Sequence, residues 1–306
     1  MIAVAGLNSA IDKLVEIETL APGRVLRARE AHCWPGGKGV HVAACAAALG
    51  QSVRLTGLVD DAHRGWFEAW LHARHVGFQQ IETPAPIRTC LAMREAAGRI
   101  TEILEQGPAI PRDVCDAARR AVIDVCGTAR IAVLTGSLPP SMPDTTYRDV
   151  VIALPHTRTI VDASGELLRH AVSARPFAIK PNRSEAEALT GTRIDSPATA
   201  AAAARALVQS GVHLAIVSLG AEGAVACWED RTCHAIPPGV AVVNSVGAGD
   251  CLVGGLAAGL ARGCDIVDAL RLGIAAGSAK VLSNDTGGVD RQDIDRLLPG
   301  VQLTWL

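Results

Sequence analysis

With 306 residues, 49% of them apolar, and a formal net charge of −2, the chain can bury a large core and carries no charge excess that would draw it to nucleic acid or an anionic membrane. It has no long block of like charges, no basic segment ahead of the short apolar run in MIAVAGLNSAIDK, and no apolar stretch that could span a bilayer. These exclusions predict a globular, cytoplasmic protein that acts on a small molecule.

In chain order, β-type runs alternate with helical ones. Strands are predicted at 2–7, 52–59, 130–136, 158–163, 177–180 and 213–220, and helices at 39–49, 64–75, 111–126, 143–154, 183–190 and 197–210. After Asp250 the pattern turns helical, at 251–262, 265–282 and 290–298. The alternation predicts an α/β fold, one domain over 1–306, with a mainly parallel sheet wrapped by helices. Two stretches break it: 12–33 holds a PG turn between alternating runs, and 87–105 holds an AAG turn between two more. Because each is inserted between main-domain elements, the two together predict a small β-sheet lid.

Nine cysteines without a CxxC pair, in a chain with no secretory pattern, read as buried thiols rather than a disulfide framework or a zinc site. Lysine is more telling. Only positions 13, 38, 180 and 280 carry it, in a chain that otherwise uses arginine. Lys38 and Lys180 fall in turns marked by glycine or proline, where a compact ammonium suits a phosphate or sugar oxygen.

The richest stretch is NSVGAGD, residues 244–250, running straight into CLVGGLAAGLARG. A glycine turn that opens a helix presents unpaired N–H groups and the positive end of the helix dipole, a site for phosphate. A carboxylate beside bound phosphate is repelled unless it has a task. For Asp250 that task is to take a proton from an attacking hydroxyl, which points to phosphoryl transfer to an alcohol. The plainer role, a first-turn acid stabilising its helix, is worth about 1 kcal/mol.

Two better-known phosphate motifs fail. GGKG at 36–39 is not a Walker A loop, since Gly39 stands where Ser or Thr is required and His32 where the first glycine should be. At 247–252 a dinucleotide fingerprint lacks its third glycine, replaced by Leu252, and lies near the C-terminus rather than after a first strand.

GGKGVHVA near residue 40 and NSVGAGDCLVGG near residue 250 resemble the two signatures of the PfkB family of carbohydrate kinases, in the ribokinase-like superfamily. TEILEQGP, LTGSLPP, VDASGE, IKPNRSEAEALTG and VSLGAEGA follow in the family's order between them, closest to the branch of 1-phosphofructokinase and tagatose-6-phosphate kinase. The resemblance implies a three-layer α/β/α fold with a β-lid, ATP and Mg²⁺ as cofactors, and a homodimer joined through the lids. It gives Asp250 the role of base and the backbone of Gly247, Ala248 and Gly249 that of anion hole. On the acceptor side it implies Asp12, Gly37, Lys38 and the position of His41, with Arg88 and Ser137 on the phosphate already carried by the sugar. On the nucleotide side it implies Lys180, Asn182, Glu185, Ser218, Gly220, Gly223, Ala276 and Gly277, with Glu185 acting on Mg²⁺ through water. A monovalent cation near residues 244–250 and 284–288 is implied by analogy. Fructose 1-phosphate is the first expected acceptor, ahead of tagatose 6-phosphate and fructose 6-phosphate. A catalytically silent binding protein is the alternative of another class. His41 is a departure, because the family usually has Asn there.

Overall fold

The computed structural model describes all 306 residues, Met1–Leu306. The strand β1 (Ile2–Gly6) opens the main sheet, β2 (Ala10–Ile17) and β3 (Glu30–Gly36) leave it, and α1 (Lys38–Ala48), β4 (Val53–Val59), α2 (Asp61–His72) and β5 (Val76–Glu82) return. The strands β6 (Arg88–Glu95) and β7 (Ile100–Leu104) leave it again. Alternation then resumes through α3 (Arg112–Gly127), β8 (Ile131–Thr135), α4 (Thr146–Ala153), β9 (Arg158–Asp162), α5 (Gly165–Ser173), β10 (Ala178–Ile179), α6 (Arg183–Thr190), α7 (Pro197–Gln209) and β11 (Leu214–Ser218). A hairpin of β12 (Ala224–Trp228) and β13 (Arg231–Ile236) precedes α8 (Ala248–Arg262), α9 (Ile266–Lys280), α10 (Arg291–Leu297) and β14 (Gln302–Trp305).

Ten strands form the main sheet in the order β14-β13-β12-β11-β10-β9-β8-β1-β4-β5. It is parallel from β5 to β11 and antiparallel beyond. The central strands IAVAG, IAVLT and LAIVS are buried almost throughout, as strands covered on both faces must be. One core lies between the sheet and α1, α2, α8, α9 and α10; the other lies between the sheet and α3 to α7. The result is the expected three-layer α/β/α arrangement.

The strands that leave, β3-β2-β6-β7, form the separate four-stranded sheet. Within it β2 runs antiparallel to β3 and parallel to β6.

Several elements depart from the sequence reading. β5, α5 and the β12–β13 hairpin lie where no element was expected, and β14 adds a strand after the supposedly all-helical end. The hairpin turns at Glu229–Asp230, with Trp228 paired to Arg231 and Glu229 at φ 50°. An acidic pair without glycine or asparagine is a weak hairpin signal, although its backbone takes the positive φ such turns need.

Candidate active site

The site forms at the carboxyl ends of the parallel strands, where open α/β sheets bind ligands. α8 begins at Gly247, whose φ of 82° favours glycine and whose absent Cβ would stand 2.5 Å from Thr286 O. No side chain caps this helix. The N–H groups of Gly247, Gly249 and Asp250 have no acceptor in the protein, whereas that of Ala248 donates to Ser245 O at 3.2 Å. The open donors of this turn are therefore the N–H groups of Gly247, Gly249 and Asp250. Ala248, expected among them, is already engaged by the turn that shapes the loop.

Asp250 is 7% exposed and stands in the first turn of α8. Its Oδ2 lies 2.7 Å from Nδ1 of His41, and Nε2 of the same ring lies 2.7 Å from Oδ2 of Asp12. His41 comes from α1, Asp12 from β2 and Asp250 from α8, so one imidazole joins both layers of the site. Carboxylates only accept, so both ring nitrogens donate and the ring is an imidazolium. Burial opposes that charge, but the charge and hydrogen bond of Asp12, then the hydrogen bond and charge of Asp250, outweigh it and raise the His41 pKa from 6.5 to about 10. Asp12 fits against Gly36, where any Cβ would stand 2.1 Å from its Cγ.

A second charged cluster lies beside it. Asp162, at the end of β9 and fully buried, has Lys180 Nζ 3.1 Å from Oδ1 and Lys38 Nζ 3.4 Å from Oδ2. Burial works against the Asp162 carboxylate, and Lys180 and Lys38 more than compensate, holding it below the usual carboxylate range. Burial likewise opposes the Lys38 charge, but Asp162, then Asp250 and Glu185, raise its pKa. A Cβ on Gly249 would lie 3.7 Å from Lys180 Nζ, so that ammonium flanks the turn that opens α8.

Toward the small sheet, Arg88 donates from Nε to Asn8 O at 3.2 Å and from Nη1 to Glu105 O at 3.0 Å. Asn8 Nδ2 donates to Ser137 Oγ at 2.9 Å. Arg88, Ser137, Gly37 and Lys38 thus line one cleft, together with Asn8, which the sequence reading passed over.

A family model with the description "pfkB family carbohydrate kinase" fits residues 3–292. The chain belongs to the pfkB family of carbohydrate kinases. Among curated relatives, the 1-phosphofructokinase of Xanthomonas campestris pv. campestris is 36% identical over 83% of this chain and 82% of its own, and that of Bacillus subtilis is 31% identical over the whole of both. Phosphofructokinase-2 from Escherichia coli, solved in complex with substrates and products, superposes with a TM-score of 0.91 at 28% identity over 98% of both chains; the same protein has been solved in complex with potassium. The chain is an ATP-dependent carbohydrate kinase of ribokinase-like fold.

On the expected nucleotide side of this pfkB kinase, Asn182 caps α6. Its Oδ1 accepts from Glu185 N at 2.9 Å while Asn182 N donates to Glu185 Oε2 at 2.8 Å, a capping box. Ser218 bridges to Asn182, which brings both to one edge, and Gly220 lies exposed beside them. Two expected residues have other duties. Gly223 is buried, with Ala235 O 2.0 Å from where its Cβ would be, so it serves hairpin packing. Ala276 is 0% exposed and packs on Gly255 between α9 and α8, leaving no surface for a base; Gly277 packs against Ala248 O but stays partly exposed. Small residues there let two helices approach, which local sequence cannot distinguish from room for a ligand.

Proposed function

We propose that this kinase transfers the γ-phosphoryl group of ATP to the free primary hydroxyl of fructose 1-phosphate, giving fructose 1,6-bisphosphate. The observation that carries this reading is the placement of Asp250 between open amides on one side and the His41–Asp12 pair on the other. A hydroxyl seated on Asp12 and Asp250 is aligned for attack, and Asp250 takes its proton. The amides of Gly247, Gly249 and Asp250 meet the charge on the transferring group, each donor being worth about 3 to 4 kcal/mol in such sites. Arg88, Ser137 and Asn8 provide donors for the phosphate already on the sugar. The same activity in two relatives that cover most or all of the chain supports the choice of acceptor.

Glu185 has one oxygen engaged in the capping box, and its other, Oε1, has no protein partner. No group of three or more acidic, His or Cys side chains stands ready for a metal. One free carboxylate oxygen beside phosphates suits Mg²⁺, which keeps most of its waters. Glu185 would hold Mg²⁺ there through water, and the ion would supply charge neutralisation on the nucleotide phosphates.

The four-stranded sheet carries Asp12 and Arg88, so its movement over the cleft would order the acceptor and exclude water. We assign it as a lid on a single domain. Ile103 and Leu104 on its edge strand β7 are 56% and 58% exposed, which supports a homodimer joined through the lids. No helix is long and apolar enough to cross a membrane, and dependence on ATP suits the cytoplasm.

A coupled ADP-release assay over fructose 1-phosphate, tagatose 6-phosphate, fructose 6-phosphate and free hexoses tests the proposal. The expected result is the highest kcat/KM with fructose 1-phosphate. A higher value with either 6-phosphate would reassign the acceptor, and silence with every acceptor would sink the catalytic reading.

A further inference from the structure

Lys280 is the last residue of α9, a position where a basic side chain ordinarily points to solvent and complements the helix dipole. Here it turns inward. It is 0% exposed, and its Nζ has no hydrogen-bond partner. Around it, two loops are joined behind the anion turn. Val243 N and Asn244 N both donate to Val281 O, at 2.7 and 3.2 Å, and the fully buried Asn244 donates from Nδ2 to Asn284 O at 3.1 Å while accepting from Val246 N at 3.0 Å. A Cβ on Gly247 would stand 3.5 Å from Lys280 Cε and 2.5 Å from Thr286 O, so the end of the lysine stem lies beneath the glycine that opens α8. Thr286 is 2% exposed, and its Oγ1 also lacks a partner. Burial lowers the proton affinity of Lys280, while Cys251, Asp285, Asp250 and Asp12, in that order, work to keep it charged.

These are the two segments, 244–250 and 284–288, to which the family resemblance assigns a monovalent cation. The residues of this chain do not fit one. A second cation would lie against a buried ammonium, in surroundings of low dielectric where like charges repel strongly. We propose that the Lys280 ammonium is itself the resident cation of the phosphoryl-transfer turn, making turnover independent of K⁺. An ammonium is close to K⁺ in size and charge, and a four-carbon stem delivers it from the carbonyl end of α9, where the helix dipole favours positive charge. Tethering removes the concentration dependence that a free ion would bring. The inference rests on the kinase reading, and it differs from what the potassium complex of the Escherichia coli relative would suggest by analogy.

The test measures ADP release with fructose 1-phosphate in tetramethylammonium buffer, titrated with KCl at constant ionic strength, alongside thermal melts under the same conditions. For the native protein, KCl should change kcat by less than about threefold and leave Tm unmoved, because a filled site binds no further ion. Lys280→Ala opens the site. Its kcat should fall about tenfold or more without K⁺ and recover in part with it, and KCl should raise its Tm. Lys280→Met fills the volume without charge, so its kcat should fall and not recover. Stimulation of the native protein by K⁺ beyond about threefold, or a Lys280→Met variant with native turnover, would overturn the proposal. If Lys280→Ala does not fold, the native and Met proteins still decide. The two readings fail separately: absence of ADP release by the native protein with any acceptor counts against the kinase assignment, while the response of Tm to KCl reports on the cation alone.

Discussion

Replacing His41 by Asn removes a charge that two buried carboxylates share. The residue is 3% exposed, its ring lies 2.7 Å from Asp12 and from Asp250, and its pKa rises from 6.5 to about 10. A group whose proton affinity is higher in the folded state contributes stability that is complete below its unfolded pKa and lost as pH climbs through the folded one. For His41 the contribution is full below pH 6.5 and gone above about 10. Each tenfold change in proton affinity is worth about 1.4 kcal/mol, so the whole effect is about 5 kcal/mol, of which about 3 kcal/mol remains near pH 7.5. Asn does not titrate, and its amide can serve one carboxylate while leaving the other unpaired, a change that typically costs about 3 to 5 kcal/mol in a buried ion pair. Urea unfolding of both proteins across pH 6.5 to 9.5 measures the difference. It should be about 3 kcal/mol near pH 7.5 and shrink by about 1.4 kcal/mol per pH unit above pH 7. Burial also pushes the thiols of Cys126 and Cys233 up, to about 12 and about 11, but both proteins share that contribution and it cancels. A difference that stays constant from pH 7 to 9.5 would refute the shared imidazolium.

Asp250→Asn keeps the shape of the base and removes its basicity, so kcat should drop by about a thousandfold with both KM values within about threefold, read by steady-state kinetics. Arg88→Ala should raise the sugar-phosphate KM by about thirtyfold or more and leave turnover of a free hexose unchanged; an equal loss with both acceptors would contradict its role on the phosphate. Glu185→Gln retains an oxygen that can accept from Asn182 N, so Tm should hold while the Mg²⁺ concentration for half-maximal rate rises about tenfold. Gly247→Ala places a methyl 2.5 Å from Thr286 O at a φ of 82°. It should cost about 1 to 3 kcal/mol in an unfolding titration, with most turnover lost.

The alternation of strands and helices was legible because strands covered on both faces are unbroken apolar runs, whereas surface helices repeat every third or fourth residue. What escaped was structure without a local signature. The β12–β13 turn is made by two acids, and β14 gains its strand character only by pairing with β13. The motif glycines were visible, but their division of labour was not. Gly247 shapes the turn that opens α8 and Gly223 the packing of a hairpin, and both read the same along the chain.

Charge shows the same limit and one way past it. Asp162 stood in plain view in VDASGE, yet only folding brings Lys38, 124 residues away, within 3.4 Å of it. Lysine usage was the better clue. Of the four lysines, Lys38 and Lys180 share Asp162, and Lys280 lies beneath Gly247, so three of them converge on the candidate site in a chain whose other basic residues, Lys13 apart, are arginines. Two of the three sat in turns and were suspect from the sequence; the third ended a helix and looked like an ordinary dipole partner. The physical reason for the choice is common to all three. A guanidinium is broad and needs several acceptors in one plane, whereas an ammonium is compact enough to lie under a backbone turn or between two strand ends. Where a chain rich in arginine keeps lysine, the surroundings have room for a point charge and not for a fork.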